Sequence, residues 1–470
     1  MEKNEIYNIL IEDMTEDGSG IGHVDGMAVF VKDTAPGDEA EIKIIKAKKN
    51  YAFGRLERII KPSEFRVEPV CPVNRPCGGC SLQHISYEQE LELKKKRVLN
   101  CLERIGGIEN PERYLEGVYG MNDPDIPSGC YRYRNKMQFP VGKDKNGKTI
   151  TGFYAGRTHS LIPVDDCFIG HPVNRYITKA VCRWADENGI SIYDEKIHNG
   201  LLRHILTRVG FKTGELMVCL VINGKKVPHS EKLVADLNEA INLYHEENET
   251  EAIRLTSVVA NINMENTNKI LGEKTFVIEG QDYITDYIGD IKFQISAQSF
   301  YQVNPLQTYR LYSKALEYAA PSAEDSIWDM YCGIGTISLF LSQKAGKVYG
   351  VEIVSQAIED ARLNAKLNDI TNAEFFVGKA EDVVSDIYED HPADVIVVDP
   401  PRKGCDMKLL DTICKMAPKR LVYVSCDPAT LARDLKTLTE KDFRIEKLSI
   451  YDQFSRGMHV ESVILMTRII

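Results

Sequence analysis

The spacing of apolar residues changes twice along the chain, and the changes predict three regions. Over residues 1–61, short apolar runs such as MAVFV (27–31) and EAEIKII (39–45) alternate with turn signals at Asp17-Gly18, Gly20, Gly22, Asp25-Gly26 and Pro36-Gly37. Runs of that length between turn residues read as strands, and their even spacing predicts a small β-barrel. Residues 62–280 mix strand and helix signals and predict an α+β region. It opens on an irregular, Pro- and Cys-rich segment (62–90), followed by a helical stretch near 87–105 that carries Lys94, Lys95, Lys96 and Arg97. The later segment YRYRNKMQF (131–139) alternates basic and aromatic residues like a strand, either an ordinary amphipathic one or one facing RNA.

From 281 to 470 the pattern sharpens. Strands are predicted at 326–331, 347–353, 373–377, 394–399 and 421–425, with helical stretches such as 355–368 between them. Apolar, β-branched strands alternating with helices indicate a parallel sheet covered on both faces. The last two strand-like runs, 443–452 and 461–469, are joined by a loop too short for a helical crossover, so they are expected to be antiparallel.

Length agrees with this division, since 470 residues at roughly 150 per domain make about three domains. No apolar run approaches the roughly 18 residues that span a bilayer, and MEKNEIYNIL lacks the basic-then-apolar order of a secretory signal. A cytoplasmic protein without a membrane partner is expected. In a reducing compartment the 12 cysteines are not a disulfide framework, which leaves metal binding, catalysis and burial. The net charge of −11 argues against a nucleic-acid partner, but a whole-chain sum can hide local basic faces. Between Lys43 and Lys61 lie seven Lys or Arg and one acid, Glu57, with Tyr51 and Phe53 interleaved. Such a stretch is either a solvated basic face or a surface that tracks a nucleic-acid strand.

Candidate chemistry concentrates at predicted strand ends. The first strand of the last region runs into Asp329-Met330-Tyr331-Cys332-Gly333-Ile334-Gly335-Thr336, where glycines let a ligand approach the backbone. Glu352, 17 residues after Gly335, ends the next strand, where an acid can accept hydrogen bonds from both ribose hydroxyls. No pyrophosphate loop is evident, which favours a nucleoside without phosphates, such as S-adenosylmethionine. Asp399-Pro400-Pro401-Arg402 ends the fourth strand and Ser425-Cys426-Asp427-Pro428 the fifth. Asp427 reads as a helix N-cap and Pro428 as the first helical residue. Cys426, beside that helix N-terminus, is placed either as a thiolate nucleophile or as an ordinary buried thiol. Glu461 opens an otherwise apolar strand, and a carboxylate partly removed from water has the raised pKa of a general base. Separately, Cys71-x5-Cys77-x2-Cys80 has metal-type spacing and needs a fourth ligand from elsewhere.

Taken together, Phe300-Tyr301-Gln302-Val303-Asn304, DMYCGIGT (329–336), Glu352, DPPR (399–402), SCDP (425–428) and HVES (459–462) closely resemble the RNA uracil-C5 methyltransferase family. The resemblance implies a C-terminal class I, Rossmann-like methyltransferase domain (281–470). Gln302, Tyr331, Glu352 and Asp399 would bind S-adenosylmethionine, with Cys426 as nucleophile and Glu461 as base. Lys379 stands where many relatives have an acid or amide, so no role is carried over to it. Residues 1–61 resemble the TRAM domain, an OB-like RNA-binding barrel. The resemblance also implies Cys167 as the fourth ligand of a [4Fe–4S] cluster in the central domain (62–280), although four thiolates suit zinc equally. The expected substrate is ribosomal RNA, of the 23S type, with uracil 54 of transfer RNA as the alternative, modified by a monomer. Three rivals are an RNA cytosine-C5 methyltransferase using Cys405, an exocyclic-amine methyltransferase, and a non-catalytic RNA-binding protein.

Overall fold

The computed structural model describes residues 1–122, 129–156, 158 and 160–469. Five strands, Ile6–Met14 (β1), Gly20–Val24 (β2), Met27–Val31 (β3), Glu39–Ala47 (β4) and Tyr51–Lys61 (β5), close into a barrel in the order β1-β2-β3-β5-β4, with β4 returning to β1. Alternate residues point inward, and Ile9, Ile11, Val29, Val31, Ile42 and Ile44 fill its core. The barrel docks on the rest of the chain through an apolar seam of Ala35, Leu82, Ile85, Leu93 and Met458. Two ion pairs, Lys96–Asp13 and Arg97–Glu16, flank that seam.

The predicted helix forms over Tyr87–Arg104, capped by the Ser86 side chain, but it does not belong to a central domain. Val98 and Leu102 pack with Leu431 and Leu435 of the C-terminal helix Pro428–Thr439. The strand after it, Leu115–Tyr119 (β6), joins the edge of the C-terminal sheet. Its apolar stripe fits that helix, a tertiary preference that periodicity along one segment does not carry.

Residues 136–280 form their own seven-stranded sheet. Its strands are Lys136–Lys143 (β7), Thr149–Tyr154 (β8), Leu161–Pro163 (β9), Leu202–Val209 (β10), Glu215–Ile222 (β11), Arg254–Ile262 (β12) and Lys274–Gly280 (β13). They are ordered β13-β12-β11-β10-β7-β8-β9. Helices Asn174–Glu187 and Ser230–Asn248 cover one face. Leu206, Met217, Cys219 and Val259 on the other face pack against the hairpin Tyr283–Ile288 (β14) and Ile291–Ser296 (β15). The basic–aromatic segment 131–139 is mostly interior. Tyr133 is 1% exposed and Arg132 is bound to Asp166 at 2.6 Å, and residues 136–139 enter the sheet as the start of β7, paired with β10, so no residue of the segment is fully exposed.

The C-terminal sheet contains Ser326–Asp329 (β16), Lys347–Glu352 (β17), Ala373–Val377 (β18), Val395–Val398 (β19), Arg420–Ser425 (β20), Phe443–Tyr451 (β21) and Glu461–Arg468 (β22). Its order is β18-β17-β16-β19-β20-β22-β21-β6. Strands β16 to β20 are parallel, and β22 runs antiparallel to both neighbours. This is the doubly wound α/β arrangement expected from the sequence, with the last strand inserted between the fifth and the sixth. Among the described residues no helix is long and apolar enough to cross a membrane.

Candidate active site

The parallel strands β16, β17, β19 and β20 all end at one edge, and the antiparallel β22 begins there. A cleft of about 1490 Å³ opens at that edge. Gln302, Tyr331, Glu352, Asp399, Cys426 and Glu461 all line it, so the fold brings together every residue that the sequence proposed for cofactor and catalysis. Lys379, Arg402, Phe454 and His459 line it too.

On the β16–β17 side the backbone supplies the shape. Gly333 and Gly335 have φ of 55° and 84°, which side chains rarely adopt, and the helix Thr336–Ser342 starts directly after them. Asp329 is fully buried beneath this turn. Burial pushes its carboxyl up to about 6 despite a hydrogen bond donated by Ser338 Oγ at 2.6 Å. Glu352 Oε1 accepts from the Val354 amide at 2.9 Å, which fixes the carboxylate at the mouth of the turn. Gln302 follows the hairpin, and its carbonyl accepts from Asn135 Nδ2 at 2.9 Å.

On the β20–β22 side the register decides the chemistry. Ser425 pairs with Ser462 in antiparallel register, so the next pair along sets Cys426 opposite Glu461. Glu461 is 4% exposed, and its carboxyl lies well above the usual range because of burial and then the charge of Asp399, with Arg402 opposing. Asp399 is raised to about 7 by burial and by Asp329. The Cys426 thiol is pushed up to about 12 by burial, then by Glu461 and Asp399, with Arg402 again opposing.

The helix beside Cys426 is capped as the sequence predicts, by Asp427, which accepts from the amides of Ala429 and Thr430 at 3.0 and 2.9 Å, while burial and the neighbouring acids favour the neutral thiol at Cys426 in the ligand-free cleft. Without ligands the cleft holds three acids around one guanidinium and favours their protonated forms.

This has a measurable consequence. An acid whose folded pKa exceeds its free value binds its proton more tightly when folded, so its contribution to stability is lost as pH rises. For Asp399 the window runs from 3.8 to about 7. We expect ligand-free protein to lose stability across that window, and Asp399→Asn to flatten the slope by up to about 1.4 kcal/mol per pH unit. Urea unfolding at several pH values reads this directly, and an unchanged slope would show that Asp399 is ionised throughout.

Sequence reasoning missed what positions Glu461. The loop between β21 and β22, which carries Phe454 and His459 into the cleft, rests on a buried ion network. Lys94 and Glu90 are each 0% exposed and Asp452 1%. Lys94 Nζ donates to Glu90 at 2.8 Å, to Asp452, and to the Phe454 carbonyl at 3.2 Å. Arg456 donates its backbone amide to Glu90 at 2.8 Å and its guanidinium to the Ile85 carbonyl at 3.1 Å. Tyr87 also donates to Asp452, and Tyr133 to the Ser455 carbonyl at 3.0 Å. The i, i+4 spacing of Glu90 and Lys94 was the one signal available, but such pairs usually lie on solvent-exposed faces.

The cysteines separate into groups. Cys405 is buried and bonded to Tyr423, outside the cleft lining, which removes the feature offered for a cytosine methyltransferase. Cys71, Cys77, Cys80 and Cys167 fall in one neighbourhood. Cys80 is raised to about 12 and Cys167 to about 11, by burial first and then by the other thiols of the set. Cys130, which no motif marks, packs in the same small core as Cys80 and Cys167, with Arg456 Nη2 donating to its sulfur at 3.0 Å. Among the described residues, however, no group of three or more His, Cys, Asp or Glu is arranged to hold a metal ion, so the geometry does not carry the expected cluster.

Comparison with known proteins agrees with this geometry. The family described as tRNA (Uracil-5-)-methyltransferase matches residues 241–469, and the TRAM domain matches residues 2–56. An uncharacterized RNA methyltransferase of Clostridium tetani is 48% identical over 99% of this chain and 97% of its own length. One of Bacillus cereus is 47% identical over 100% and 98%. Among solved structures, the tRNA (uracil-54, C5)-methyltransferase of Pyrococcus abyssi, in complex with S-adenosyl-L-homocysteine, superposes with a TM-score of 0.75 at 26% identity. It covers 98% of this chain and 100% of its own.

Proposed function

Since the chain belongs to the RNA uracil-5-methyltransferase family, whose members are S-adenosylmethionine-dependent transferases, we propose that it forms 5-methyluridine in 23S ribosomal RNA through Cys426 and Glu461. The observation that carries the chemistry is the β20–β22 register, which sets a thiol opposite a buried carboxylate in the wall of one cleft.

Uracil C5 is a poor nucleophile. Addition of Cys426 Sγ to C6 breaks the C5=C6 double bond and makes C5 enolate-like, with Arg402 placed to offset the developing charge. The thiol must lose its proton for this addition, and Asp399, ionised once the cationic cofactor is bound and close enough for its charge to act on Cys426, is the group proposed to take that proton and hold it until elimination. Gln302, Tyr331, Glu352 and Asp399 would hold S-adenosylmethionine, which would supply the methyl group for C5 and leave as the neutral thioether S-adenosylhomocysteine. Glu461 then removes the C5 proton. The electron pair re-forms C5=C6, Sγ leaves, and Asp399 reprotonates it. The target base must leave its stack to reach the cleft.

Support for ribosomal RNA is the barrel together with the cysteine set, a combination that resembles the ribosomal-RNA members. Uracil 54 of transfer RNA is the second reading, favoured by the full-length similarity to the Pyrococcus abyssi enzyme. The proposal also assigns Cys71, Cys77, Cys80 and Cys167 to a [4Fe–4S] cluster, with zinc as the alternative. Support for that is the donor set: four cysteine thiols in one neighbourhood, the residue type that holds such clusters. Tritiated methyl transfer to 23S and transfer-RNA transcripts, with mapping of 5-methyluridine, is expected to label 23S; label confined to uracil 54 overturns that choice. Protein isolated without oxygen is expected to carry about four iron per chain, and zinc or no metal rejects the cluster.

A further inference from the structure

Arg402 stands among acids yet binds none of them. It lines the cleft with Asp399, Cys426 and Glu461, and its positive charge opposes the upward shifts of Cys426 and Glu461. Among the described residues, however, no carboxylate lies within ion-pair distance of its guanidinium, and its one side-chain partner is His459, with Nη2 and the imidazole Nε2 3.4 Å apart. A guanidinium beside carboxylates ordinarily closes onto them, since charge-assisted hydrogen bonds are about twice as strong as neutral ones. Here a neutral partner holds it instead.

The two ends of this contact are fixed unequally. Arg402 projects from the turn 401–404, which the Gly404 amide closes on the Pro401 carbonyl at 2.8 Å, and its long side chain is exposed. His459 is pinned. The Met458 carbonyl before it accepts from Arg97 Nη1 at 2.8 Å, and Met458 and Val460 on either side are buried. Its ring meets Phe454 edge-on, with centroids 5.9 Å apart at 72°. A guanidinium only donates, so the contact requires a neutral imidazole whose Nε2 accepts. Partial burial, then Arg402, Arg97 and Lys94, hold the ring's pKa below the usual histidine value, with Asp427 opposing, and this keeps the lone pair available.

We infer that His459 is a positioning residue that holds Arg402 off Glu461 and Asp399 and keeps its guanidinium for the charge that develops on the pyrimidine. The inference rests on the proposed uracil methylation and deepens it. Released from His459, Arg402 would pair with one of the two carboxylates. The guanidinium would then no longer be preorganised for the enolate-like ring, and a Glu461 paired with it would be a weaker base. Both costs fall on turnover rather than on binding.

The test compares full-length variants by single-turnover adduct formation on 5-fluorouridine RNA with S-adenosylmethionine, and by kcat and KM on uridine RNA. His459→Phe keeps a ring against Phe454 but has no acceptor. It is expected to slow adduct formation and lower kcat by at least about tenfold, with KM for RNA and the urea midpoint unchanged. In His459→Gln, Oε1 stands in for Nε2, so both rates should return to within about threefold of wild type. In an Arg402→Gln background, adding His459→Phe should change the adduct rate by less than about twofold, because no guanidinium is left to hold. A smaller loss in His459→Phe, no rescue by His459→Gln, or an additive loss in the Arg402→Gln background overturns the inference. Wild type that binds the RNA but forms no adduct refutes uracil methylation instead.

Discussion

Replacing Cys426 by Ala is expected to lower methyl transfer from tritiated S-adenosylmethionine by at least about 10³-fold, because it removes the thiol proposed to bond to C6. Adducts separate the roles of the two catalytic candidates. With 5-fluorouridine RNA the wild type is expected to form a stable covalent complex, since C5 then carries no proton for Glu461 to remove, and Cys426→Ala forms none. Glu461→Gln keeps the nucleophile but not the base, so it should accumulate the adduct on ordinary uridine RNA. Cys405→Ala should retain turnover within about threefold, because that thiol bonds to Tyr423 outside the cleft lining. Methylation by Cys426→Ala, or an adduct that disappears in Cys405→Ala, would sink the assignment.

The second large effect is on stability. Lys94→Met removes a fully buried ammonium and leaves Glu90 and Asp452 without their shared partner. Breaking a buried pair in this way costs about 3–5 kcal/mol. It also frees the Phe454 carbonyl, so the loop that carries Phe454 and His459 into the cleft should loosen. We expect a lower urea midpoint together with a fall in kcat larger than any rise in KM for RNA. Adding Glu90→Gln to Lys94→Met should restore part of the stability, because one uncompensated charge is removed. A single variant within about 1 kcal/mol of wild type would show that the network is not under strain when broken.

Much of the site was legible because strand ends carry their own punctuation. Asp329, Glu352, Asp399 and Cys426 each sit at or just past the end of an apolar run, and in an open α/β sheet those ends share one edge. Lys94 and Tyr133 were not legible. A lysine in a basic helix and a tyrosine in a basic strand look solvent-facing until the elements that bury them are placed. The surroundings of the Cys426 thiol were not legible for the same reason. A helix N-terminus is visible in the sequence, but the crowding of Glu461 and Asp399 around the sulfur is not. In the barrel, the count of basic residues was legible but not its distribution, since cross-strand pairing neutralises Arg58 and Lys61 and leaves the turn lysines charged.

The sequence by itself determined the β-barrel, the parallel α/β sheet, the strand-end acids and an antiparallel final pair, because local periodicity and turn chemistry govern all of these. It did not determine where the final strand goes. Only the tertiary structure inserts β22 between β20 and β21 and ties β6 and its helix to the same sheet. The physical reason is that β22 pairs its backbone with β20 on one side and β21 on the other, leaving neither edge unpaired, while its apolar side chains enter the cores on both faces of the sheet. That insertion reverses the strand, carries Glu461 to the edge where β20 ends, and makes a carboxylate 35 residues away in sequence the direct neighbour of Cys426.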